Sequence, residues 1–108
     1  MLSAYRVLDL TDERGEIGGM MLADLGADVI RVEPRDGCSA RACAPLLPDA
    51  PRGEASLQFF AYNRNKRSIA LELGEAQDRE TFLQLVETAD FVLESGPGSE
   101  LERAGLAF

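Results

Sequence analysis

The chain has 108 residues, and its 11 basic and 19 acidic side chains give it a formal charge of −8. This length suits one compact domain, and a hydrophobic fraction of 45% is too high for a disordered acidic tail. The net acidity argues against general nucleic-acid binding, and the lack of a membrane span or a signal peptide leads us to expect a soluble, cytoplasmic protein with no membrane partner.

The first third of the chain predicts a strand, a helix and a second strand. Tyr5–Leu10 alternates and is rich in β-formers, which indicates a strand. Acidic residues follow where a helix dipole favours them, and Gly26 suits the end of that helix. The helical register is carried by Ile17, Met20, Met21, Asp24 and Leu25. Asp28–Glu33, which Pro34 ends, completes a parallel βαβ unit.

The stretch from Arg35 to about Arg67 has no regular pattern and predicts a long irregular connection. A loop of this length in a compact domain is usually functional or mobile. Within it, Ser56–Tyr62 is expected to form a short helical turn. The apolar residues expected to pack onto the sheet are Leu57, Phe59 and Phe60.

A second βαβ unit is predicted in the last third of the chain. It consists of a strand at Ser68–Leu73, a helix at Ala76–Thr88 and a strand at Asp90–Glu94. The helix has one apolar stripe, formed by Phe82, Leu85, Val86 and Ala89. A turn at Gly96–Gly98 leads into a last helical turn, Glu100–Ala104. Two such units predict an α/β fold with a Rossmann-like open parallel sheet, and its open edges indicate a truncated domain.

Ligands of open α/β sheets bind outside the carboxyl ends of the strands, and here those ends contain glycine. The segments are Thr11–Gly15, Pro34–Gly37, Gly74–Gln77 and Ser95–Gly98. Turn geometry explains each glycine alone, but their convergence on one edge favours a binding site. An NAD site is disfavoured, because Gly15–Gly19 lacks the Gly-x-Gly start and the acidic residues around it would crowd a pyrophosphate. Glu33 suits a solvated strand end or an ion-pair partner equally well.

The densest cationic patch is Asn63–Ser68, which holds the single lysine of the chain. Its charges could hold phosphates, or Lys66 and Arg67 could pair with the excess carboxylates, and the pattern alone leaves both possibilities open. Arg103, taken alone, is typical of a helix surface.

Histidine is absent, so chemistry within these residues would need a carboxylate or a thiol. The acidic side chains are too numerous to nominate an acid–base pair, and we expect them at the surface. The cysteines, Cys38 and Cys43, form neither a disulfide framework nor a complete metal site, so no metal is expected.

Several motifs occur together in a specific order. They are Val7–Thr11, Leu22–Ile30, Val32–Pro34, Asn63–Leu71, Ala89–Glu94, Gly96–Gly98, Arg103 and Gly105–Leu106. This run resembles the N-terminal region of class III CoA-transferases, the CaiB–BaiF family, which includes formyl-CoA transferase and α-methylacyl-CoA racemase. The likeness covers nearly the whole chain except the loop from Gly37 to Ala55.

The resemblance implies that residues 1–108 are the Rossmann-like, CoA-binding N-terminal portion of a longer enzyme. Such enzymes form interlocked homodimers and move CoA between carboxylic acids, with acyl-CoA as the donor. The positions that match CoA contacts are Arg14, Gly15, Lys66, Leu71, Glu72, Leu73, Gly74, Ser95, Gly96, Pro97 and Arg103. Arg103 would reach a phosphate, which replaces its interpretation as a surface residue.

Two departures from the family pattern bear on the site. Family members usually carry Ala-Gly-Pro where this chain has Gly15–Ile17, which affects the local CoA contacts and the substrate class. Pro34 occupies a position that is often arginine, and its neighbour Arg35 is predicted to substitute for it.

The resemblance also implies where the catalytic residues lie. The family's nucleophilic aspartate, which forms acyl-anhydride intermediates, lies beyond Phe108, as do the histidine and aspartate of the racemases. The chain alone is therefore expected to be inactive. Two alternatives remain open. The chain could be a portion of an α-methylacyl-CoA racemase-like enzyme, or it could be a non-catalytic Rossmann-type binding module.

Overall fold

The computed structural model describes residues 1–96 and 100–106, which form a four-stranded parallel sheet with helices. The strands are β1 (Arg6–Asp9), β2 (Asp28–Glu33), β3 (Arg67–Ala70) and β4 (Phe91–Leu93). The helices are α1 (Glu16–Asp24), α2 (Leu57–Tyr62), α3 (Ala76–Thr88) and α4 (Glu100–Arg103), with a 3₁₀ turn at Ser39–Ala42. The spatial order β3-β2-β1-β4 makes β1 and β2 the central strands and confirms the predicted α/β class.

Helices cover both faces of the sheet, and the two faces differ in size. On one face, a large apolar cluster joins the sheet to α3 and α4 through Leu8, Leu10, Ile30, Val32, Leu71, Leu73, Phe82 and Leu101. On the other, a smaller cluster under α1 contains Val7, Ala23, Ala27 and Val29. Alternation along each strand produces this division, because successive side chains point to opposite faces. The predicted stripe of α3 is confirmed, since Phe82 is buried and Leu85, Val86 and Ala89 pack against the larger cluster.

The inner face of α1 differs from the predicted one. Ile17 and Met21 are 49% and 58% exposed, and Leu25 is also exposed. The buried residues of this helix are Glu16, Gly19 and Ala23. The reason is close approach to the sheet: a Cβ added at Gly19 would lie only 2.4 Å from Asp9 Oδ2. No bulky apolar side chain fits on that side of the helix.

The predicted helical turn in the long connection is present as α2, and Ser56 caps it. Ser56 Oγ accepts a hydrogen bond from Phe59 N at 3.0 Å, as an N-cap serine should. Of the three apolar residues expected to pack onto the sheet, only Phe59 is buried, and Leu57 and Phe60 are exposed. A helix of six residues turns a single side inward. Within residues 1–96 and 100–106, none of the helices has the length and hydrophobicity needed to span a bilayer.

Candidate ligand-binding edge of the sheet

A cleft of about 260 Å³ lies at the carboxyl ends of β1, β2 and β4. Its lining residues are Leu10, Thr11, Asp12, Val32, Pro34, Gly37, Cys38, Ser39, Ser95 and Arg103. This is the edge at which an open parallel sheet binds its ligands. The fold thus brings Ser95 and Arg103, two of the predicted site residues, to one cleft although they come from different elements.

Side-chain hydrogen bonds join the three loops that form the walls of this cleft. Asp12 N donates to Ser95 Oγ at 2.9 Å, which links the loop after β1 to the loop after β4. Ser39 Oγ donates to Glu13 Oε2 at 2.6 Å, which links the loops after β2 and β1. The predicted site residue Gly15 lies against the same wall, since a Cβ added there would be 3.3 Å from Thr11 Cγ2. Hydrogen bonds within the chain therefore fix the positions of the walls relative to one another.

Asp12 contributes a carboxylate to the wall, and Arg14 balances its charge. The Arg14 guanidinium donates to the Asp12 carboxylate from Nε at 3.0 Å and from Nη2 at 2.8 Å. This hydrogen bonding lowers the pKa of Asp12 from 3.8 to about 2, although burial acts in the opposite direction. Asp12 is therefore ionised at neutral pH and is locally neutralised.

We expect the Asp12 carboxyl to titrate near pH 2 in carbon-13 NMR, and the Arg14→Gln variant to raise that midpoint towards 3.8. Because the folded-state pKa lies below the unfolded one, Asp12 stabilises the fold above pH 3.8, and this contribution is lost as the pH falls towards 2. The Asp12→Asn variant should flatten the pH dependence of stability in that window. A wild-type midpoint at 3.8 would contradict the assignment.

A buried network of charged groups lies beneath the cleft. Lys66 Nζ donates to Asp9 Oδ2 at 2.6 Å, to Asn63 Oδ1 at 2.8 Å and to the main-chain oxygen of Glu16 at 2.9 Å. The side chains of Lys66 and Asp9 are 1% and 0% exposed. Lys66 thus uses all three of its donors inside the protein. Of the two possibilities for the cationic patch, pairing with carboxylates describes this lysine, and it also describes Arg67, which binds Asp28.

Arg31 connects this network to the wall of the cleft. Its Nη1 lies 3.2 Å from Asp9 Oδ1 and donates to Thr11 Oγ1 at 3.0 Å. Its Nη2 donates to Cys38 Sγ at 3.0 Å. Thr11 and Cys38 both line the cleft, so the buried charges determine where these two wall residues lie.

The expectation that the carboxylates lie at the surface is wrong for four of them. Asp9, Glu16, Glu33 and Asp78 are all buried. Glu16 Oε2 accepts from Asn63 Nδ2 at 2.8 Å, and burial raises the pKa of Glu16. Glu33 is an ion-pair partner, because Arg41 donates to both of its oxygens at 2.7 and 2.9 Å. The alternation of β1 could have predicted that Asp9 is buried, because Asp9 lies two residues from Val7 and so shares its inward face.

The other predicted site residues that the structure describes do not line this cleft. Arg35 N donates to Glu72 Oε1 at 2.7 Å, and the Arg35 guanidinium donates to Asp78 Oδ2 at 2.8 Å. The side chains of Leu71 and Leu73 belong to the large apolar cluster. The remaining three are the exposed Gly74, Gly96 in the turn after β4, and Pro97, which lies outside the described residues.

A larger cleft, of about 820 Å³, adjoins the first one. Gly37, Cys38 and Ser39 line both of them. The remaining lining residues of the larger cleft are Asp36, Arg41, Ala42, Leu46, Arg52, Gly53 and Ala55. In the part of the chain that the structure describes, no group of three His, Cys, Asp or Glu side chains could hold a metal ion.

Comparison with known proteins identifies a matching family and relatives of this chain. The chain matches the family model for CoA-transferase family III over residues 2–108. It is 43% identical to the succinyl-CoA:mesaconate CoA-transferase of Haloarcula hispanica, over 94% of this chain and 26% of that protein. It is 39% identical to the succinate–glutarate CoA-transferase of Agrobacterium fabrum, over 99% of this chain and 28% of that protein.

Solved structures agree with the sequence relatives. A CAIB/BAIF family protein from Brucella suis superposes with a TM-score of 0.83 at 35% identity, covering 99% of this chain and 29% of that one. The chain spans about a quarter of the length of the curated relatives it matches. From the family match and the shared fold, the chain belongs to CoA-transferase family III, as the order of its motifs predicted.

Proposed function

We propose that the chain is the CoA-binding N-terminal portion of an acyl-CoA transferase, an enzyme that moves CoA between two carboxylic acids. The observation that carries the proposal is the family match over residues 2–108, which covers about a quarter of each relative. The cleft at the carboxyl ends of the strands supports it, because Ser95 and Arg103 meet there. The names of the relatives, which include succinyl-CoA and glutarate, favour carboxylic acid substrates.

In this proposal each element at the cleft has a binding role. Arg103 holds a phosphate of CoA, because a guanidinium matches phosphate geometry with paired donors. Gly15 and Ser95 allow the ligand close to the main chain, and Asp12 adds little repulsion because Arg14 neutralises it. Lys66 acts indirectly through Asp9, since its ammonium group is buried.

The remaining predicted contacts belong to the same proposal. They are Arg35, Leu71, Glu72, Leu73, Gly74, Gly96 and Pro97. The proposal places the nucleophilic aspartate beyond Phe108, in a longer cytoplasmic protein that forms an interlocked homodimer. A coupled transferase assay tests this: the 108-residue chain should show no turnover, whereas a protein that continues past Phe108 to that aspartate should be active. Turnover by the 108 residues alone would contradict it.

Calorimetric titration tests the binding role of Arg103. We expect the Arg103→Ala variant to bind CoA about tenfold more weakly than the wild type, because a hydrogen bond to a charged group contributes about 1.5–3 kcal/mol. Titration with dephospho-CoA identifies which phosphate is contacted. Arg64→Ala is the matched control, since Arg64 pairs with Asp24 on α1 and lines neither cleft. An unchanged CoA affinity in the Arg103→Ala variant would show that Arg103 holds no phosphate.

A further inference from the structure

The larger cleft contains a cation without a partner. Among the described residues, Arg52 is the one Lys or Arg whose side chain makes no hydrogen bond or ion pair. The other cations each have a partner in the folded chain, mostly a carboxylate. In a chain with 19 acidic side chains, a guanidinium left in this state is available for an external anion.

The backbone that carries Arg52 is fixed in place. Glu54 N donates to the Pro51 oxygen at 2.9 Å, and Gly53 has a φ of +87°, which is typical of the third position of a type II turn. Arg41 Nη1 donates to the Gly53 oxygen at 2.8 Å. Arg41 is itself bound to Glu33 at the end of β2. The turn is therefore anchored to the central sheet through one arginine, and Arg52 projects from a defined backbone.

The surroundings of Arg52 suit a ligand that is partly apolar and partly anionic. Ala42, Leu46 and Ala55 give the cleft apolar walls, and Asp36 is the acidic residue that lines it. The second cation of the cleft, Arg41, is neutralised by Glu33 and stacks on the Phe59 ring at 4.3 Å from its centroid. Of these two arginines, only Arg52 therefore has a positive charge that no carboxylate of the chain balances.

We propose that Arg52 binds the distal carboxylate of a dicarboxylic acyl group whose CoA portion occupies the neighbouring smaller cleft. The inference rests on the proposed function, because it takes the smaller cleft as the CoA site. Gly37, Cys38 and Ser39 line both clefts, so one ligand can extend from one cleft into the other. A carboxylate pairs with a guanidinium through two parallel hydrogen bonds, and the apolar walls contact the methylene groups between the two carbonyls.

Two thioesters that differ only at the distal end test the proposal. Succinyl-CoA ends in a carboxylate, and butyryl-CoA ends in a methyl group. In calorimetric titrations of the 108-residue protein, we expect the Arg52→Gln variant to bind succinyl-CoA about tenfold more weakly than the wild type, with butyryl-CoA unchanged. Arg64→Gln removes the same charge outside both clefts and should change neither affinity. Equal weakening for both thioesters, or none for either, would overturn the proposal.

A second measurement does not depend on CoA binding. In nitrogen-15 NMR of the labelled protein, free succinate should produce a saturable shift of the Arg52 Nε–Hε resonance and leave that of Arg64, which is paired with Asp24, unchanged. If neither thioester binds the wild type, the proposed function fails, and the succinate titration alone decides the carboxylate site. No shift at Arg52, or an equal shift at Arg64, would overturn the proposal.

Discussion

Replacing Lys66 by methionine is expected to destabilise the folded chain by about 3–5 kcal/mol, because it breaks a buried ion pair by removing one partner. Methionine keeps the length and apolar stem of the side chain but has no donor. Asp9 would retain Arg31 at 3.2 Å, while the Asn63 side-chain oxygen and the Glu16 carbonyl would lose their ammonium donor. Urea denaturation followed by far-UV circular dichroism measures the loss as a lower midpoint.

Arg67→Met is the matched control for this experiment. It removes the same charge at the adjacent residue, but Arg67 is 63% exposed and its ion pair with Asp28 lies at the surface. Exposed pairs contribute little to stability, so the urea midpoint should change little. A Lys66→Met protein that is unfolded before urea is added agrees with the prediction. Midpoints that fall together in the two variants would contradict it.

Adjacent glycines in α1 are expected to respond in opposite directions to alanine. At Gly18 a Cβ meets nothing within 4 Å, so Gly18→Ala should stabilise the chain by about 0.5–1 kcal/mol through reduced backbone entropy in the unfolded state. At Gly19 the Cβ would lie 2.4 Å from Asp9 Oδ2 and 3.2 Å from Lys66 Cε. Gly19→Ala should destabilise by about 1–3 kcal/mol, the usual range for overpacking.

The Gly19 clash is costly because Asp9 cannot swing away. Its two oxygens are held by Lys66 and Arg31, and the residue is fully buried. Thermal unfolding of both variants tests the contrast, since the helix and the type of substitution are the same. If the Gly19→Ala variant unfolds at the same temperature as the Gly18→Ala variant, α1 does not approach the sheet as closely as in the structure.

Elements with a local signal were predicted well. The strand Asp28–Glu33 and the helix Ala76–Thr88 have the predicted bounds. Pro34 ends the strand because it has no N–H to donate, and the stripe through Phe82 fixes which side of α3 faces the sheet. The parallel order of the strands and the edge that carries the cleft follow from the same alternation of strands and helices.

The inner face of α1 could not be predicted in the same way. Its apolar residues Ile17 and Met21 have the spacing of a buried stripe, but Glu16 is buried instead. The groups that make this burial possible, Asn63 and Lys66, lie 47 and 50 residues away in the sequence. Periodicity within one helix contains no information about such distant partners. The sequence pattern therefore did not predict the buried network, although the sequence contains each of its residues.

The candidate site also contains residues that the sequence predicted and residues whose roles it could not predict. The ends of the strands identified Ser95, and the motif order identified Arg103, and both line the cleft. The roles of Arg14 and Arg52 could not be seen in the sequence, because they depend on which cations are already paired. Pairing is a property of the folded chain: Arg14 is bound by Asp12 two residues away, whereas Arg52 has carboxylates nearby in the sequence and binds none.

The Asp9–Arg31 pair also has a consequence for how the central strands find their alignment. The two residues are direct partners in the β1–β2 register, and both point to the α1 face. If β2 slipped by one residue, every side chain on it would exchange faces, and Arg31 would enter the wholly apolar cluster around Leu8 and Phe82. An unpaired guanidinium in such a place costs several kcal/mol. The ion pair therefore disfavours misaligned pairing of β1 with β2 during folding. Two strands made only of valine would lack this selectivity.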